Sequence, residues 1–201
     1  VLGRGFRFPS LHALPRWELA PVALLGVYIA FALIATAAPI SSEDALAYHA
    51  AGPALFEDSH KLQELWWSWE SYQPFTVEML VLDGFLLWDD TQGAFAPFVL
   101  GFAALATVVG AADRIAGRTV ALLAGVLFFA QPFMLWQVSS TFIEPGLAFA
   151  LALACWNLWR FAQTGAAWCV GLAGLFAGAG AGMKYTGVAA CVVLAAVGLV
   201  L

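Results

Sequence analysis

Two ionisable side chains of this sequence stand where almost nothing else is charged. Glu144 is the only charged residue between Arg118 and Arg160, and Lys184 is the only one after Arg160. A third candidate, Asp44, is the second residue of the run EDALAYH. Ser41 or Ser42 is positioned to cap a helix starting near Glu43. On that helix Asp44 and Tyr48 share a face at a spacing of four, with His49 one step round. A carboxylate within reach of a hydroxyl can take its proton. A fixed ammonium can neutralise negative charge on a departing group. Each residue also has a plainer reading. Glu144 precedes Pro145 at a helix start, where the dipole favours an acid. Lys184 could simply extend to lipid headgroups. Glu57, Asp58, Lys61 and Glu64 read as the solvated side of a helix lying on an interface.

What must position these groups follows from composition. The chain has 201 residues, 63% apolar and only 10% charged, with a mean hydropathy of +0.87. Soluble domains carry about 25% charge. With 8 basic and 13 acidic residues there is no cationic surface for phosphate backbones, which excludes a nucleic-acid binder. Cys155, Cys169 and Cys191 lie in apolar runs and form no disulfide framework. Eleven of the charges fall between Glu43 and Asp90, leaving long charge-free stretches elsewhere. A bilayer core of about 30 Å needs about 20 apolar helical residues. Spans are expected near 20–38, 94–112, 119–138, 145–161, 167–183 and 185–201, all helical because lipid offers the backbone no hydrogen bonds. The stretch 75–88 is short and holds Glu78 and Asp83, so it is expected to dip into the interface without crossing.

With the N-terminus in the cytoplasm, this layout puts Arg4, Arg7, Arg16, Arg114, Arg118 and Arg160 inside. Eleven of the 13 acids then lie outside, opposed by Lys61 and Lys184. Trp66, Trp67, Trp69, Trp88 and Trp136 fall at the outer interface, and Trp17, Trp156, Trp159 and Trp168 at the inner one. The first span is too long for a cleaved leader. The start on Val1 and the end on Leu201 within an apolar run suggest the N-terminal part of a longer polypeptide. Gly174, Gly178 and Gly182 form a small-residue stripe that would let another helix approach. The expected fold is all-α: a polytopic transmembrane helix bundle, one domain over 1–201, with interfacial helices in a first outer loop at 40–93. Asp44, Glu144 and Lys184 would then reach one outer level from three separate segments.

Those segments resemble a known family. The run Glu43-Asp44-Ala-Leu-Ala-Tyr48-His49 is similar to the D-x-x-x-Y-H segment of the GT-C superfamily of integral-membrane glycosyltransferases, nearest its protein-mannosyltransferase-like and aminoarabinose-transferase-like branch. YQPFTVEML resembles that family's Pro-containing juxtamembrane helix, STFIEPGLAF its second outer acidic loop, and GLFAGAGAGMKYTG its Gly-rich helix ending in Lys-Tyr-Thr-Gly. The second loop carries Glu144 where the family usually has Asp. The four matches run in order across most of 39–187.

The resemblance implies a GT-C-like bundle in a bacterial inner membrane. It also implies a polyprenyl-phosphate sugar donor and an acceptor at the outer face. Asp44 would activate the acceptor hydroxyl, and Glu144, the second catalytic acid, would position the acceptor or help hold a metal. Lys184 and His49 would neutralise the lipid phosphate, and Tyr48, Glu43 and Glu78 would complete the substrate contacts. Oxygen ligands would suit Mg²⁺ or Mn²⁺, but many family members use no metal, and none is assigned here. The alternative is a non-catalytic GT-C-like subunit packed in a larger membrane complex. A transporter is disfavoured because no charge falls at mid-span.

Overall fold

The computed structural model describes residues 15–87 and 93–200, and these are all-helical with no strand. Arg4, Arg7 and Trp88 lie outside the described residues, as do Asp89 and Asp90. Helix α1 covers Arg16–Thr36. A π-helical turn, Ala45–His49, leads into α2 (Ala51–Ser59), which stops where His60 adopts a left-handed φ of 52°. After a 3₁₀ turn at Trp69–Tyr72 comes α3 (Thr76–Leu87). Helix α4 (Phe95–Ala116) turns through Gly117, whose φ of 83° suits glycine, into α5 (Arg118–Ala130). The remaining helices are α6 (Pro132–Val138), α7 (Glu144–Thr164), α8 (Ala167–Ala181) and α9 (Tyr185–Val200).

Among these, α1 and α4 are each long and apolar enough to cross a membrane. The span expected at 119–138 is broken: α5 and α6 meet at a bend of 78° and would make a third crossing only if taken together. Pro132 explains the break, because it has no N–H to continue the helix and its ring opposes the preceding turn. Helices α8 and α9 are apolar but have only 15 and 16 residues, about 22–24 Å of rise. Helix α7 is long enough at 21 residues but carries Asn157 and Arg160. Helix α3 has 12 residues, about 18 Å, against a hydrocarbon core of about 30 Å.

Packing gives the bundle two distinct ends. Gly101 of α4 faces Val138 and Pro145, so α4 and α7 start at the same end and run the same way. Ala32, Leu105, Phe129 and Val138 form one core between α1, α4, α5 and α6. Val77, Ile143, Ala150 and Met183 form another, which seats the first turn of α3 over the start of α7 and the α8–α9 corner. Ala50, Val81 and Phe85 fix the rest of α3 beneath the first loop. Thus α3 lies across the end where α4, α7 and α9 begin. At the opposite end Arg118 Nε lies 2.6 Å from Oε2 of the buried Glu18, and Thr119 donates to Glu18 Oε1 at 3.1 Å. Arg16 opens α1 and Arg114 lies in the last turn of α4 at that same end, and Arg160 lies in the half of α7 nearer to it.

The glycine stripe differs from expectation. Gly174 and Gly178 are exposed, with nothing within 4 Å of where a Cβ would lie. Close packing of α8 instead uses Ala173, Ala177 and Gly180, one step round the helix. Gly180 meets Leu147 and Leu151 of α7 on one side. On the other, Gly187 of α9 sits so close to the Gly180 carbonyl that any side chain would collide with backbone. Spacing alone could not tell which of two adjacent small-residue rows faces the neighbour, because both repeat at helical spacing, three or four residues apart.

Candidate functional site

The end spanned by α3 collects the residues singled out from the sequence. The first loop contributes Asp44, Tyr48 and His49, and its local geometry is not the regular helix expected from Glu43 onward. Ser42 Oγ accepts from the Ala45 N–H at 3.3 Å, and the chain then widens so that the Ala50 N–H donates to the Ala45 carbonyl at 2.7 Å. This wide turn rotates His49 into the core, whereas Asp44 and Glu43 remain exposed. Wide turns of this kind often mark functional sites.

His49 is 2% exposed, and its Nδ1 lies 2.7 Å from Oε1 of the equally buried Glu78 on α3. Its ring also lies tilted beside Tyr48, at 4.1 Å centroid to centroid, and meets the edge of Phe142 at 5.7 Å. His49 therefore joins the first loop, α3 and the segment before α7. The two candidate substrate contacts His49 and Glu78 face each other inside the protein rather than an open surface.

Glu144 opens α7, with Pro145 in its first turn, and Lys184 lies in the turn between α8 and α9. Lys184 Nζ donates to Glu144 Oε1 across 40 residues. Both side chains are partly exposed, at 33% for Lys184 and 25% for Glu144. The lysine expected to meet a phosphate is thus held by a carboxylate. Around this pair Thr76 Oγ1 donates to the Gly182 carbonyl at 2.5 Å, and the Tyr185 hydroxyl donates to the Tyr72 carbonyl at 3.0 Å.

Tyr48 shows how these segments meet. Its hydroxyl is pushed up to about 12 by burial first, then by the negative charges of Asp44, Glu144, Glu70 and Glu78. One phenol from the first loop thus feels carboxylates of its own turn, the 3₁₀ turn, α3 and α7. It stays a neutral hydrogen-bond donor over the whole physiological range. Glu70 was not anticipated from the sequence, and no spacing relation pointed to it. Thr141 was also missed: it is fully buried, and its hydroxyl has no partner among the described residues. Glu78 Oε2 and Glu144 Oε2 are likewise buried acceptors without a hydrogen bond.

The arrangement offers several acceptors, one neutral phenol and one engaged ammonium, which suits a ligand rich in hydroxyl groups. No group of three or more His, Cys, Asp or Glu side chains among the described residues stands together to hold a metal ion. Glu144, the residue best placed to help a Mg²⁺ or Mn²⁺ ion, is committed to Lys184. No family model, curated protein or solved structure matches the chain.

Proposed function

We propose that this chain forms the helical core of a membrane glycosyltransferase, a polytopic GT-C-like bundle that moves a sugar from a polyprenyl-phosphate donor to an acceptor hydroxyl. The observation that carries the reading is the convergence on Tyr48 of carboxylates from segments as far apart as Asp44 and Glu144, with Lys184 bonded to the latter. The four ordered motif resemblances support the same reaction class. In this reading the acceptor hydroxyl gives its proton to Asp44 as its oxygen bonds to the sugar C1. The bond from C1 to the phosphate oxygen breaks, and the electron pair leaves with the lipid phosphate. Lys184 turns from Glu144 toward that phosphate and offsets its charge. The neutral Tyr48 phenol hydrogen-bonds a sugar or acceptor oxygen, and the His49–Glu78 pair holds the turn that carries Asp44. No step calls on a metal.

The same reading puts the chain in a bacterial inner membrane with the arginine end in the cytoplasm, supported by Arg16, Arg114, Arg118 and Arg160 sharing one end. The test is transfer from a radiolabelled polyprenyl-phosphate sugar by membranes containing the full polypeptide. Asp44→Asn should lower turnover by about 10²–10⁴-fold, the usual worth of a general base. Since Asp44 is exposed, the variant should insert and purify normally. Undiminished transfer would remove the proposal. Lys184→Ala should weaken donor binding more than Lys61→Ala.

One observation favours a second reading, a non-catalytic membrane subunit. Glu144 and Lys184 neutralise each other, as a staple between α7 and the α8–α9 turn would. Under it, Asp44→Asn would leave function intact, and the chain would co-purify with a fixed membrane partner.

A further inference from the structure

We propose that the turn region 61–73 is an interfacial anchor that seats its aromatic side chains in the headgroup layer of the membrane and so fixes the height of the site. The proposal rests on the membrane reading of the chain but not on glycosyl transfer. The region is ordered, not a loose excursion. Leu65 and Ser68 are buried, and Leu65 reaches the place where Gly52 and Phe75 meet. The Ser68 N–H donates to the Leu65 carbonyl at 2.8 Å. The Ser71 hydroxyl donates to the Ser68 carbonyl at 2.8 Å, and the Gln73 N–H to the Glu70 carbonyl at 3.0 Å. The Tyr72 hydroxyl is held by Glu64.

From this platform the large side chains point outward. Trp66 is 81% exposed, Trp69 is 70% and Leu62 is 69%, and Trp67 and Tyr72 are more than half exposed. Isolated apolar residues on a surface need no explanation, but five within eleven positions on a hydrogen-bonded frame form a patch.

Two observations name lipid as what covers it. The first is position. The Tyr72 carbonyl accepts from the Tyr185 hydroxyl, so the platform is tied to the first residue of α9, beside Lys184. That is the end from which α4, an apolar helix of membrane-crossing length, sets out. The patch therefore sits at the margin of the bundle. The second is chemistry. Indole and phenol rings carry an apolar body and a polar edge, which suits the boundary between acyl chains and water. Lys61, Glu64 and Glu70 supply the charged rim expected where such a surface meets headgroups.

The full chain, reconstituted in phosphatidylcholine vesicles, tests this by tryptophan fluorescence. Lipids brominated near the headgroup end of the acyl chain quench indoles at shallow depth, and aqueous iodide quenches those in water. Replacing Trp66, Trp67 and Trp69 by Phe removes three of nine tryptophans. The expected result is a loss of about a third of the signal quenched by shallow bromine, with the iodide-quenched signal unchanged. Trp66→Phe alone, the mildest change at the most exposed position, should remove about a ninth. If the iodide-quenched signal falls instead, the platform faces water or a soluble partner, and the proposal is overturned. If the chain does not float with the vesicles at all, the membrane reading falls with it.

Discussion

Removing either member of the His49–Glu78 pair should destabilise the site end of the bundle, and the two removals should be unequal. The side chains are 2% and 3% exposed and 2.7 Å apart, so neither can turn to water. His49→Phe keeps the ring but leaves a buried carboxylate whose Oε2 already has no partner. Breaking a buried pair this way costs about 3–5 kcal/mol. Glu78→Leu leaves only an imidazole nitrogen unsatisfied, which costs about 1–3 kcal/mol. The double replacement removes both polar groups and should cost less than His49→Phe alone, giving a coupling larger than the Glu78→Leu cost of about 1–3 kcal/mol. Reactivity of Cys169, which is fully buried in α8, reports unfolding during heating once Cys155 and Cys191 are changed to Ala. At about 2–4 °C per kcal/mol for a chain of this size, His49→Phe should lower the midpoint by about 6–20 °C. Additive midpoints, or a larger loss for Glu78→Leu, would refute a hydrogen-bonded buried pair and leave only steric packing.

Three further outcomes follow from other contacts. Gly187→Ala should cost about 1–3 kcal/mol in the same thiol assay, because its methyl meets the Gly180 carbonyl, whereas Gly174→Ala, with open space around it, should be neutral or slightly stabilising. Arg118→Ala should cost about 2–3 kcal/mol, discounted for the partial exposure of the guanidinium, and Glu18→Gln in that background should recover most of the loss. The Tyr48 phenolate, followed by ultraviolet absorbance against a Tyr48→Phe control, should appear near pH 12. Because folding raises this pKa, Tyr48 contributes stability that is full below about pH 10 and is lost as pH rises toward 12. Asp44→Asn and Glu144→Gln should each lower the midpoint by removing a negative neighbour.

Charge-free runs made the helices and their order legible, since a long apolar stretch between charged turns has few alternatives. The agreement in depth of Glu144 and Lys184 was legible for the same reason: each interrupts an otherwise uncharged region next to a helix end. Their bond to each other was not, because sequence gives depth along a helix and not azimuth between helices. The inward turn of His49 was hidden by the extra residue in the wide turn, which breaks the regular spacing that placed it beside Tyr48. The break at Pro132 carried a plain signal in the proline itself, but hydrophobic length outweighed it. Glu18 was hidden because it falls just before the expected span 20–38, in the opening turn of α1, where the dipole favours an acid. Its engagement with Arg118 and Thr119 depends on how α5 returns to α1.

That engagement has a consequence for biogenesis. Arg118 leaves the ribosome 100 residues after Glu18, about 5–20 s later at ordinary rates of synthesis. Through that interval α1 has its acid supported only by the dipole of its own first turn. The clamp can close only once α4 is complete and α5 has begun. Assembly thus has a late latch, and a nascent chain arrested before the Gly117 corner would remain unlocked.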